Sequence, residues 1–141
     1  MSVNVNLDGL ARERRAACVF GFSALAAWAS VGFALEVAHA FKWSSYLDHP
    51  LRRELLTWAH AHGVGLALVV LAYAAVGVSP HLAPAVGQRL RAAAWLMPLG
   101  FLASVLGHGE SDPGPAILAV PVGAALLIAS LVQIARAAAR E

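Results

Sequence analysis

At 141 residues the chain holds one domain, and 60% hydrophobic against 13% charged residues excludes an ordinary soluble fold and points to a membrane protein. A formal charge of +2, with its arginines spread over segment ends rather than gathered in a run, excludes a nucleic-acid-binding surface. The single cysteine, Cys18, excludes an internal disulfide and any thiolate cluster.

Four runs, Ala16 to Leu35, Leu55 to Gln88, Ala92 to Gly109 and Pro113 to Ala135, contain no Asp, Glu, Lys or Arg. Each has room for a helix of about 20 residues, which crosses a hydrocarbon core about 30 Å thick. The sequence therefore predicts an all-α fold, an integral membrane four-helix bundle in up-down-up-down order, with helices at approximately 12–41, 50–77, 88–106 and 113–138.

Met1 to Gly9 reads as a loose tail. Arg12, Arg14 and Arg15 ahead of an apolar stretch look like the start of a signal peptide. The apolar character runs on to Leu35, past an h-region of about 7–15 residues, so the first helix is read as uncleaved. Ala16-Ala17-Cys18 also departs from a twin-arginine signal. The helix ends at Lys42-Trp43-Ser44-Ser45-Tyr46, residues suited to an interface. Within it Glu36 and His39, three apart, share a face. Gly32 and Ala29 on that face admit a neighbouring helix, which turns Glu36 towards protein.

Asp48-His49-Pro50 marks the second helix start, with Pro at the first helical position and an acid suited to the helix dipole. Ser79-Pro80-His81-Leu82-Ala83-Pro84 reads as a turn. The third helix starts near Gln88-Arg89-Leu90-Arg91 and carries Pro98 as an expected kink. Asp112-Pro113 opens the fourth, which Pro121 and Gly123 interrupt near its beginning.

Basic residues set the orientation. Arg12, Arg14, Arg15, Arg89, Arg91, Arg136 and Arg140 fall on one side, Lys42, Arg52 and Arg53 on the other, so the positive-inside rule places both termini in the cytoplasm. Usage rich in arginine and alanine fits a GC-rich bacterial genome, hence a bacterial cytoplasmic (inner) membrane.

With that topology, Glu36, His39, His60, His62, His108, Glu110 and Asp112 gather at the outer end, and the inner half is almost purely aliphatic. Glu36 lies about 7.5 Å below the outer end of its helix, and His60 and His62 roughly 7 to 10 Å below theirs. Ionisable groups at such depth are costly and point to a site. Imidazole is the commonest metal ligand, and Glu-x-x-His on one helix is a spacing used inside helical bundles. His60 and His62 are about 200° apart on a helix, so they face different neighbours. The stripe His62, Gly65, Val69, Ala72 favours His62 as the one on the packing face. Gly63 and Gly65 read as close helix packing rather than a phosphate loop. Ser23, Ser30 and Ser104 lack an adjacent base, so no catalytic residue is assigned.

Ala59-His60-Ala61-His62-Gly63 resembles the histidine-bearing helix starts of haem-binding and haem-copper respiratory membrane proteins. The resemblance is confined to these residues and implies a haem or metal ligand among them.

The leading functional expectation is an outward-facing site for a transition metal (Cu, Zn or Fe) or haem b, used in electron transfer, metal handling or a small redox step. Glu36, His39, His62 and His108 are the expected metal ligands. His60, His62 and His108 are the cofactor-binding candidates, with Glu110 and Asp112 behind them. The competing expectation is a non-catalytic accessory subunit of a larger membrane complex, for example a respiratory one. A third, a proton or ion pathway, lacks a relay in the inner half. The plainest alternative is that Glu36 and His39 satisfy each other and hold helices in register. In every case the lipid bilayer is the expected partner, with a homo-oligomer or larger complex as the expected assembly.

Overall fold

The computed structural model describes residues 7–77, 79, 80, 82, 85–106 and 112–140. Among them every regular element is helical: α1 (Leu7–Ala40), α2 (Ser44–Leu47), α3 (Pro50–Ala72), a π-helical turn (Tyr73–Gly77), α4 (Ala85–Ala103), a 3-10 turn (Pro115–Leu118) and α5 (Ala119–Ala138). The first helix thus begins at Leu7, where Asp8 in its first turn suits the helix dipole. The expected beginning near Arg12 overlooked that acid.

The end of α1 is set by backbone chemistry. Lys42 takes a left-handed conformation, φ 52°. The Trp43 N–H then donates to the Ala38 carbonyl at 3.0 Å and the Lys42 N–H to the His39 carbonyl at 3.1 Å. This pair of bonds is the Schellman closure, usually built on glycine. Beyond it the short α2 was not foreseen. Arg52 donates to the Ser45 carbonyl and Arg53 to the Leu47 carbonyl, so the start of α3 caps it. Pro50 occupies the first turn of α3, as its missing N–H predicts.

Large side chains seated on glycines hold α1 against α3. Gly21 receives Leu71, Gly63 receives Trp28 and Gly32 receives His60. The ascending order on one helix matches a descending order on the other, so the two run antiparallel. A Cβ at Gly63 would collide with the Trp28 ring, whereas Gly65 faces open space. Of Gly63 and Gly65, Gly63 alone packs, and Gly32 packs as expected.

The same device joins α4 to α5, where Met97 lies over Gly123 and Val120 meets Gly100. Arg89 also donates to Gln133 Oε1 at 2.9 Å. Pro98 sits buried inside α4. Pro121 falls in the first turn of α5, where its missing N–H does not break the ladder, and the disturbance shows instead as the preceding 3-10 turn.

The long helices pack in chain order: α1 on α3, α3 on α4, α4 on α5. Between α1 and α4 the links are side chains, Phe20 edge-on to Trp95 at 6.0 Å and Trp28 tilted to it at 6.3 Å. α1 and α5 make at most marginal contact, so the ring implied by a closed bundle is not formed.

Three segments, Leu7–Ala40, Pro50–Val76 and Pro115–Ala138, are long and apolar enough to cross a membrane. α4 falls short because Gln88, Arg89 and Arg91 occupy its beginning. It compensates by burial, with nine of its 19 residues inside, among them Leu90, Ala94, Met97 and Phe101.

Candidate functional site

The half of the α1–α3 seam towards the C-terminus of α1 carries a groove of about 430 Å³. Its apolar wall includes Leu25, Phe33 and Val64, and into it come Glu36 of α1, Thr57 and His60 of α3, and Tyr46 of α2. Each polar group arrives for a local reason. Glu36 lies one turn beyond Gly32 on the same α1 face, and Tyr46 is brought in by the Schellman closure and α2.

His60 is fixed on both sides. Its ring lies over Gly32, and its Nδ1–H donates to the Trp28 carbonyl at 2.8 Å. A carbonyl only accepts, so the neutral ring carries its proton on Nδ1 and leaves Nε2 with a bare lone pair. The carbonyl itself is an i→i+4 helix acceptor, and the imidazole uses its second lone pair.

His62 is placed differently. Its Nδ1–H donates to the Trp58 carbonyl of its own helix at 2.8 Å. Its ring meets Phe101 of α4 with centroids 5.0 Å apart. The two imidazoles therefore face different neighbours, as their angular separation requires. The stripe expected with His62 packs only in part: His62 meets Phe101 and Val69 packs on the core, while Gly65 and Ala72 are exposed, and the fully buried face of α3 is Leu55, Ala59, Gly63, Leu66, Ala67 and Val70. The spacing of that face favours His60, one position from Ala59, as the residue nearest α1.

The remaining expected ligands disperse. Glu36 lines the groove but is exposed, and His39 is exposed in the last turn of α1. Asp112 is exposed, while His81, His108 and Glu110 lie outside the described residues. Among the described residues no three His, Cys, Asp or Glu side chains converge on a point that could hold a metal ion. Haem meets a second obstacle, because the space between the outer helices is filled by Ala24, Trp28, Leu55, Ala59, Ala67 and Phe101. Glu36 and His60 share one groove; His39 and His62 do not complete a ligand set with them.

The strongest polar constellation lies at the opposite end. Glu13 of α1 accepts from Arg91 of α4 in a bidentate pair at 2.5 and 3.3 Å, with about a fifth of either side chain exposed. The Tyr73 hydroxyl donates to the same carboxylate. Gly87 makes room, since a Cβ there would strike Glu13. Beside it Arg14 donates to the Ala74 and Ala75 carbonyls, at 3.0 and 3.3 Å, within the π-helical turn. The half expected to be inner and almost purely aliphatic thus holds a three-helix ionic junction at its end. A signal for it exists in the sequence: Glu13 is the one acid among Arg12, Arg14 and Arg15, and antiparallel helices bring it level with Arg91.

Comparison of the chain with protein-family models, with characterised proteins and with solved structures gives no match.

Proposed function

We propose that this chain is an integral membrane protein of four spans, with both termini cytoplasmic, acting as a non-catalytic accessory subunit of a larger membrane assembly. One observation carries the reading: the two imidazoles of α3 are engaged as packing elements, His60 on Gly32 and the Trp28 carbonyl, His62 on Phe101 and the Trp58 carbonyl. Groups used in this way hold helices in register. α4 enters the membrane as the fourth span because α3 and α5 cover it and because Glu13 and Gln133 pair its two arginines. The contact surface for a partner is the outer side of α5, which packs on α4 and exposes Ile128, Leu131 and Val132.

The test is site-specific photo-crosslinking in native membranes from position 128, with position 68 of α3, where Leu68 is also exposed, as the comparison. A discrete protein adduct from 128 and none from 68 supports a subunit contact. Lipid adducts alone from both positions overturn it.

A second reading has its own observation. The unprotonated Nε2 of His60 and the Glu36 carboxylate share one groove, which supports weak binding of a borderline transition-metal ion such as Zn(II) or Cu(II) there. A second copy of the chain would have to complete the coordination, and His62 would take no part. Elemental analysis and metal titration of the purified protein test this: binding lost in His60→Ala and kept in His62→Ala supports it, and no binding, or equal loss in both, ends it.

A further inference from the structure

The ionic junction has an outer side that the fold does not use. One helix face, Arg12, Arg15, Ala16 and Val19, runs with Phe20 along a groove of about 590 Å³ whose far wall is Arg91 of α4. These positions follow the i, i+3, i+4, i+7 rule, so the basic turn leads directly into the apolar one. Arg12 and Arg15 are exposed, and neither makes a hydrogen bond or ion pair with a described residue. Arg91 is held in place by Glu13, and the remaining N–H donors of its guanidinium are left for another acceptor. Three guanidiniums against one carboxylate leave a surplus of positive charge at the mouth. Below it Val19 is 61% exposed, and Phe20 leads to Trp95, which is 40% exposed.

We propose that this groove between α1 and α4 seats one anionic phospholipid, its phosphate on Arg12, Arg15 and Arg91 and an acyl chain along Val19, Phe20 and Trp95. The inference rests on the membrane-spanning reading given above. A phosphodiester matches the planar fork of a guanidinium. The apolar floor continuous with it selects a lipid over a soluble anion, and the excess positive charge disfavours a headgroup carrying its own ammonium. The Glu13–Arg91 pair makes the seat preorganised: the cation deepest in the groove is already oriented when the lipid arrives.

The experiment uses the full chain in mild detergent, offered equimolar phosphatidylglycerol and phosphatidylcholine, with retained lipid counted by native mass spectrometry. Wild type retains one phosphatidylglycerol in preference to phosphatidylcholine. Arg12→Gln with Arg15→Gln reduces that preference at least tenfold. Arg136→Gln with Arg140→Gln, which removes the same charge from the end of α5, leaves it unchanged. Equal loss in both double variants, or no preference in wild type, overturns the proposal. Displacement of the retained lipid by millimolar inorganic phosphate would also overturn it, reassigning the groove to a soluble anion. Extraction of membranes with alkaline carbonate is run alongside. A chain released by carbonate refutes the spanning reading itself, whereas one that stays inserted without lipid preference refutes only the seat.

Discussion

The two ends of the α1–α3 pair are fastened by different physics. At the end that holds His60, shape does the holding: Trp28 in the notch of Gly63 and His60 in that of Gly32, with a single bond from His60 to the Trp28 carbonyl. At the end that holds Glu13, charge does it: Glu13 draws Arg91 and Tyr73 to itself, and Arg14 reaches the carbonyls of the π-helical turn. Two residues that stand out in the sequence, His60 and His62, are packing elements, while an acid hidden in a basic flank organises the polar centre. Rarity of a residue type at membrane depth marks cost, and the cost can be met by a helix contact as readily as by a ligand.

The contrast can be tested in order of expected effect. Gly63→Leu forces a side chain into the Trp28 ring and should cost about 3 kcal/mol, the upper end for overpacking. Thermal unfolding in detergent reads the loss, and combining it with Trp28→Ala should recover part of it. Additive losses in the double variant would mean that the two residues do not share a space.

Next, Glu13→Gln strands a largely buried guanidinium and should cost about 2 kcal/mol, between the values for exposed and buried pairs. Glu13→Gln with Arg91→Gln should cost less than Glu13→Gln alone. If the double variant is the worse, the junction is not held by charge. Raised salt should narrow the melting-temperature difference between wild type and Glu13→Gln, since only wild type contains the pair.

His60→Ala removes a seated ring and one hydrogen bond, for about 1 to 2 kcal/mol. His62→Ala, whose bond is internal to α3, should cost about half as much. The reverse order would make the His62 contact with Phe101, not the His60 seat, the more important of the two. Smallest is Lys42→Gly, which relieves a left-handed lysine and should stabilise by about 1 kcal/mol; a lower melting temperature would show that the lysine side chain contributes more than its backbone costs.

Much of the fold was legible because apolar runs and breakers are local signals. Pro50 and the Lys42-to-Tyr46 segment mark real boundaries, and Gly32 and Gly63 are real contact points. What escaped notice depends on partners distant in the chain. The π-helical turn at Tyr73–Gly77 coincides with carbonyls that accept from Arg14, 60 and 61 positions away. Glu13 and Arg91 are 78 apart. Nothing in the neighbourhood of either announces the other until α1 and α4 are known to lie level. The missing closure of α1 on α5 is likewise a property of the assembled helices, since each sequence alone is apolar enough for either arrangement. Of the candidate site, the meeting of Glu36 with His60 rests on the Gly32 notch, a pairing that periodicity suggests only once the α3 face is fixed by Ala59 and Gly63.

The weak apolarity of α4 carries a consequence for biogenesis. A nascent chain leaving the ribosome presents Arg89 and Arg91 to the bilayer with only a short greasy stretch behind them, so this segment has little reason to partition on its own. On the proposed four-span reading its entry would be a cooperative event, waiting on the acid that the first hairpin has already delivered and completed when the last segment emerges to cover its back. Chains truncated before Ala119 should therefore leave this stretch accessible to protease at the membrane surface.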